Sequence, residues 1–343
     1  MLKAITRGIA FSLLSFASST AAKADEVAQF YAGKTISFIV ASGPGGGYDL
    51  YARFLVRHYS KYLPGNPGFA IQYVPGGGGI VAANNVAGLA RRDGTAIGLL
   101  ASSTFVLAAV GDSQTKFENL KFTFVGNMNE EVDTCSAWHT SGFKSIDDIK
   151  QREAIFGTAG VGSNSHTFPL AMNELLGTKF KLIPGYSGGA HVRTTAMERK
   201  ELDGSCGIFV STLGAQFKAP LANNELKVVL QMGLSRHPLY KDVPNALELA
   251  PNESARSVLE LLFAQLAVGR PIVAPPDVPK ARAEALQQAF DKTMSDPQMQ
   301  ADAAKTGVEL RWFGSSRMKD EMLKMENAPA SVKSDVRRIL NVQ

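Results

Sequence analysis

Four runs of apolar and β-branched residues end in glycine-rich segments that each open a helical pattern. The segments are 43–47, 75–79, 157–162 and 185–189. The first reads "IVASGPGGGYDLYARFLVRHY", Ile39 to Tyr59, with four glycines in five residues. Glycine lets backbone N–H groups approach a ligand closely, and a helix N-terminus adds unpaired donors and positive potential. In open α/β sheets, ligands bind beyond the carboxyl ends of the strands. Four such loops in two groups predict two lobes facing one anion. Ser163, ahead of the third helix, suits an anion-binding cap. Asp49 has the position of a first-turn acid or of a group that orients a loop N–H; a general base is the competing role.

Other chemistries lack their residues. "GPGGGYD" has no Gly-Lys-Ser/Thr after it, so it is no phosphate loop of the Walker type. Tyr48 occupies the third glycine position of a dinucleotide fingerprint, and no acid follows the second strand near Val74 to hold a ribose. The five histidines, His58, His139, His166, His191 and His237, show no metal-ligand spacing. No Gly-x-Ser-x-Gly elbow occurs; "GSNSH" places Ser163, Ser165 and His166 together without an evident orienting acid. Glycines, hydroxyls and aromatics make a binding inventory rather than a reacting one. Neither a cofactor nor a metal is expected, and the chain is not expected to be an enzyme.

The first 24 residues read as a secretory signal peptide, cleaved after Ala24. Lys3 and Arg7 precede the apolar run Gly8–Ala22, and "AKA" ends it. An uncleaved N-terminal anchor is the alternative. Of 36 basic residues, three (Lys3, Arg7, Lys23) fall in this segment, and none of the 31 acidic ones does. That leaves 33 against 31, a net charge of +2 over residues 25–343. Such a balance argues against nucleic-acid or membrane-surface binding. The most apolar later stretch, Ala96–Gly111, is short and carries Ser-Ser-Thr, which predicts a buried strand, loop and helix. Cys135 and Cys206 are most simply a disulfide in an exported chain; two buried thiols are the alternative.

These loops need strands and helices to position them. Strands are predicted at Thr35–Ser42, Phe69–Val74, Thr95–Ala101, within Ala154–His166, within Phe180–Ala190, at Asp203–Thr212 and at Leu226–Leu234, mostly in βα units on parallel sheets. Ser145 is the expected cap of a helix with Asp147 and Asp148 in its first turn. The chain from about Pro279 onward is mostly helical.

The motifs, taken in order, resemble the extracytoplasmic solute receptors of tripartite tricarboxylate transporters, the Bug family. Pro44 to Asp49 matches a Pro-Gly-Gly-x-x-Asp loop, Pro75 to Gly79 a second glycine loop, and Gly157 to His166 a Gly-Ser-x-Gly-x-Gly-Ser-x-x-His element. Tyr186 to Ala190 matches Tyr-x-Gly-x-Ala, Asp203 the Asp of a Gly-x-Val-Asp-like turn, and "DVP" at Asp242 and "APPDVP" at Ala274 two later signatures. The resemblance spans nearly all of residues 25–343. It implies a type II periplasmic binding protein fold: two α/β lobes with parallel-dominated sheets joined by two crossover segments. The lobes are expected at 25–127 plus 265–343 and at 128–264, with crossovers near Phe122–Asn127 and Phe263–Arg270. It also implies a periplasmic, monomeric receptor that captures a small carboxylate between the lobes and delivers it to integral-membrane permease subunits. A sensory or adaptor protein of the same fold is the alternative.

On that template the proximal carboxylate lies between the loop of Gly45, Gly46, Gly47, Tyr48 and Asp49 and that of Gly160, Ser163, Asn164 and His166. Gly77, Gly78, Ser102, Ser103 and Thr104 add donors. Tyr186 and Ser187 read the distal part, and Asp203 completes the set. Thr158-Ala159 replaces a commoner Ser-Ser, and Tyr48 either lines the cleft or packs beneath its loop.

Overall fold

The computed structural model describes residues 25–186 and 189–342, with only the backbone at 190–192. The signal-peptide reading of residues 1–24 and the site residue Ser187 lie outside them.

Two mixed α/β sheets carry the chain. Strands β1 (Thr35–Val40), β2 (Gly68–Tyr73), β3 (Ala96–Leu99), β4 (Thr123–Asn127), β10 (Pro271–Ala274) and β11 (Phe313–Gly314) form a six-stranded sheet ordered β11-β4-β10-β3-β1-β2. Strands β5 (Asp133–Trp138), β6 (Ala154–Gly157), β7 (Phe180–Ile183), β8 (Gly204–Cys206) and β9 (Leu226–Met232) form a second, ordered β7-β6-β8-β5-β9. β1 runs parallel to β2 and β3, and β6 to β7 and β8; β10 is antiparallel to both its neighbours β3 and β4, as β5 is to β8 and β9. The second sheet thus has one reversed strand, β5, and the first has two, β10 and the edge strand β11, which is antiparallel to β4. Among the parallel strands β3 is buried throughout, as expected of a strand covered on both sides, while the edge strands β2 and β7 expose part of their residues.

The helices that reach the cleft are α1 (Gly47–Tyr59), α2 (Ile80–Gly88), α3 (Ser103–Ala109), α4 (Asn164–Leu176), α5 (Ala190–Glu198) and α6 (Val210–Gln216). α1 buries Tyr51, Phe54, Leu55 and Tyr59 along one stripe, which seats its N-terminus over the end of β1. The helix predicted after Ser145 forms as Ile146–Gln151. Ser145 accepts from the Asp148 N–H, and Asp148 returns the bond to the Ser145 N–H, a capping box.

Two sequence expectations change. The segment 203–212 is not one strand. β8 stops at Cys206 because Gly207 takes φ +79°, and the chain then turns into α6. Phe122–Asn127, expected as a crossover, is largely β4 of the first sheet, and the chain passes to the second sheet just after it.

The return passage is longer, from β9 to β10, and ends through a 3₁₀ turn at Gln265–Val268. The two passages lie against each other. Met128 donates to Arg270 O at 3.0 Å, Glu131 N to Leu266 O at 2.8 Å, and Arg270 N to Asn127 Oδ1 at 2.9 Å. A side chain at Gly269 would collide with Glu131, so glycine is required for that approach.

Cys135 and Cys206 face each other across β5 and β8 and are bonded. With 71 residues of separation, the chain-entropy account assigns the bond roughly 4 kcal/mol. Cys135→Ser/Cys206→Ser should therefore lower unfolding free energy by about that amount, read as a shift in the urea midpoint. A midpoint equal to wild type would show that the bond adds no stability.

Candidate functional site

Between the two sheets lies a cavity of about 130 Å³. Three helices begin at its wall: α1 with Gly46 as cap, α4 with Ser163, and α5 with Gly189. No side chain caps any of the three. The Ser163 hydroxyl instead donates to Gly160 O at 2.6 Å and meets Ser165 Oγ at 2.8 Å. Unpaired N–H groups and the positive ends of three helix dipoles therefore converge on one space.

The loops from the two sheets touch. A Cβ on Gly46 would stand 3.3 Å from Gly189 Cα; one on Gly47 would meet the Thr212 hydroxyl, and one on Gly78 the Gly162–Ser163 backbone. Gln216 Nε2 donates to Gly45 O across the gap at 3.3 Å. Gly78 also takes φ +65°, which only glycine adopts readily.

Several expected residues line the cavity: Gly46, Gly47, Tyr48, Gly78, Ser103, Ser163 and Asn164. Others support it from behind. Asp49 accepts the Gly45 N–H at 2.7 Å, Arg53 Nε at 2.7 Å and the Tyr73 hydroxyl. It is therefore the loop-orienting group of the two roles weighed above. Burial tends to raise its carboxyl, but these three partners outweigh that and hold it below the ordinary range. Ser102 is fully buried behind the wall and donates its N–H to Tyr48 Oη at 3.2 Å. Ser103 Oγ donates to Gly78 O at 3.2 Å.

The remaining expected residues stand off the wall. His166 Nδ1 lies 3.4 Å from Thr158 Oγ1 rather than on a serine, so the "GSNSH" residues form no Ser-His pair. Tyr186 packs its ring beside Gly157. Asp203 Oδ2 accepts the Ile155 N–H at 2.8 Å and ties β6 to the turn before β8. Gly45, Gly77 and Gly160 shape their loops without bordering the cavity.

Two arginines were missed. Arg193, in the first turn of α5, borders the cavity while 3% exposed; its Nε donates to Ser205 Oγ at 2.5 Å and Nη2 to Gly207 O at 3.3 Å. Burial lowers it to about 10. Arg270, 1% exposed, donates Nε to Glu131 Oε1 at 2.9 Å and Nη2 to Ser211 Oγ at 3.2 Å and Thr212 Oγ1 at 3.0 Å. Its guanidinium lies 4.5–4.7 Å from the ring centres of Tyr48, Tyr51 and Phe209, within the range of cation–π attraction. Tyr48 therefore both lines the cleft and packs on a buried charge, and burial pushes its phenol up. Arg270 was legible as the end of a passage between sheets, next to a strand. Arg193 was legible as the cation one turn into the helix after the fourth glycine loop. Pattern alone gave no reason to aim either inward.

No profile of a known protein family matches the chain. A UPF0065 protein from the TAR-I ttuE-ttuC' intergenic region of Agrobacterium vitis is 25% identical over 284 residues, covering 81% of this chain and 76% of its own. The structure of the periplasmic binding protein BugD superposes with a TM-score of 0.71 at 19% identity, over 91% of this chain and 99% of that one. MatC from Rhodopseudomonas palustris, solved with bound malate, gives 0.67 at 20% identity, over 90% and 98%. The fold is that of the periplasmic solute-binding proteins. The resemblance drawn from the motifs to the tricarboxylate-transporter receptors thus extends to three dimensions. Among the described residues no helix is long and apolar enough to cross a membrane.

Glu131→Ala would leave Arg270 buried without its counter-charge. Loss of one partner of a buried pair costs roughly 3–5 kcal/mol, so this variant should unfold at clearly lower denaturant than wild type. A change under about 1 kcal/mol would show that the pair behaves as a solvated one.

Proposed function

We propose that the chain is an exported solute receptor of the Bug type, which encloses a small carboxylate between its two sheets and presents it to integral-membrane permease subunits. Its lobes are 25–127 plus 265–343 and 128–264, and it works as a monomer without cofactor or turnover. The observation that carries the proposal is the convergence of three uncapped helix N-termini and a buried arginine on one cavity between two touching loop sets. That arrangement favours an anion small enough to be held mainly by backbone N–H groups. MatC was solved with malate, which supports carboxylates as the class.

The magnitudes are adequate. A hydrogen bond to a charged group contributes roughly 1.5–3 kcal/mol, and a helix terminus roughly 0.3–1, or about 2 when partly buried. A few such contacts reach the roughly 8 kcal/mol of micromolar binding after the cost of closure. Ligand bridges the 43–47 and 160–164 loops, so binding and approach of the lobes are one event, and the closed shape is what a permease reads.

Thermal unfolding of residues 25–343 against malate, succinate, adipate and uncharged analogues tests this. Carboxylate at about 100 times its dissociation constant should stabilise by about 2.7 kcal/mol, with no shift from the uncharged analogues. Gly46→Asp puts a side chain and a negative charge where Gly189 Cα approaches at 3.3 Å. It should fold normally by circular dichroism and lose the shift. An undiminished shift in that variant would remove the first loop from the site.

A further inference from the structure

A buried carboxyl group lies near Arg193: Thr134, next to Asp133, donates Oγ1 to Ile208 O at 2.6 Å, and Arg193 Nη2 donates to the adjacent Gly207 O at 3.3 Å. Asp133, the first residue of β5, is wholly buried; its Oδ1 accepts the Thr134 N–H at 2.7 Å, and Oδ2 has no hydrogen-bond partner among the described residues. The two arginines of the cleft differ in their counter-charges. Arg270 holds Glu131 at 2.9 Å. Arg193 has no direct ion pair among the described residues, and the acid acting on it is Asp133. The charged groups facing Asp133 are Arg193 on α5 and Glu131 on the passage into β5, which Arg270 already engages. α4 presents the neutral Asn164 amide, and β9 pairs Met232 opposite.

We propose that Arg193 is the cationic anchor for the ligand's carboxylate and that Asp133 is its exchangeable counter-charge, neutralised by a proton taken from solvent as the ligand binds. The inference rests on the carboxylate-receptor reading of the cleft. Two carboxylates sharing one guanidinium out of water do not both stay ionised. Burial, opposed by the Thr134 N–H, Asn164 and Arg193, already pushes Asp133 up to about 7. Ligand carboxylates with ordinary values near 4 stay ionised through that range, so the proton goes to Asp133. No covalent bond changes.

The sign follows. A bound anion raises Asp133 further, so the protonated receptor binds more tightly. Affinity is flat below about pH 6 and falls through pH 7, by about tenfold between pH 6 and pH 8. Burial holds His166 below its ordinary value.

Calorimetry in buffers of different ionisation heat, with malate, succinate and adipate as probes, tests the inference on wild type. Binding should take up about half a proton at pH 7 and approach one at pH 8. Asp133→Asn should bind at pH 8 as it does at pH 6, with no uptake, and Arg193→Gln should bind at least about tenfold more weakly. Binding without proton uptake, or equal uptake by Asp133→Asn, overturns the inference and leaves the receptor reading intact. Should Asp133→Asn fail to fold, His166→Gln decides: unchanged uptake supports Asp133, and lost uptake overturns it. No binding of any of the three acids at any pH overturns the receptor reading itself, and the inference with it.

Discussion

The buried pair of Arg270 and Glu131 constrains the rest of the molecule. Each belongs to one of the two passages between the sheets, Glu131 just before β5 and Arg270 just before β10. A guanidinium out of water needs its charge matched and its N–H groups used. Glu131, Ser211 and Thr212 do this, and three aromatic rings cover the faces. The pair therefore fastens the passages to each other, fixes the start of α6, and seats Tyr48 at the head of α1. Ser211 also donates to Glu131 at 2.5 Å, which closes the network around a single oxygen of that carboxylate. The network thereby holds the wall of the cavity at the junction of the two sheets.

From this fixed centre the loops extend as backbone rather than as side chains. Asp49, Arg53 and Tyr73 hold the first loop from outside the cavity, so its N–H groups keep their direction without a capping side chain inside. The glycines at 46, 47 and 78 allow main chain from one sheet to touch main chain from the other. The cost of so many glycines is conformational entropy in the unfolded chain. The disulfide joining β5 to β8, beneath the α6 side of the cleft, offsets part of it.

Much of the fold was legible because its signals are local. β1, β2, β3, β9, the Ser145 box and the apolar stripe of α1 follow from periodicity and capping, each decided within about ten residues. Part of the cavity wall was legible for the same reason: Gly46, Gly47, Gly78, Ser103, Ser163 and Asn164 sit where strand, glycine and helix follow one another. What failed was nonlocal. Asp203 has the right residue type and stands near a glycine, yet its carboxylate is spent on the Ile155 N–H. Arg270 and Glu131 are 139 residues apart, and nothing near either residue announces the other. β8 ends after three residues because Gly207 must pass close to Ser165, a contact between elements forty residues apart that no strand pattern encodes.

The same distinction explains how the cleft treats charge. A cavity walled only by helix N-termini would be positive and uncompensated when empty, and it would hold anions with little discrimination. Here one arginine is paired directly with an acid at 2.9 Å, while burial opposes the ionisation of the acid that acts on the other. The first arrangement suits a structural clamp, since removing either charge strands the other. The second leaves positive potential that a ligand can claim. Two arginines of equal burial thus take different roles, and what separates them is how firmly each counter-charge is held.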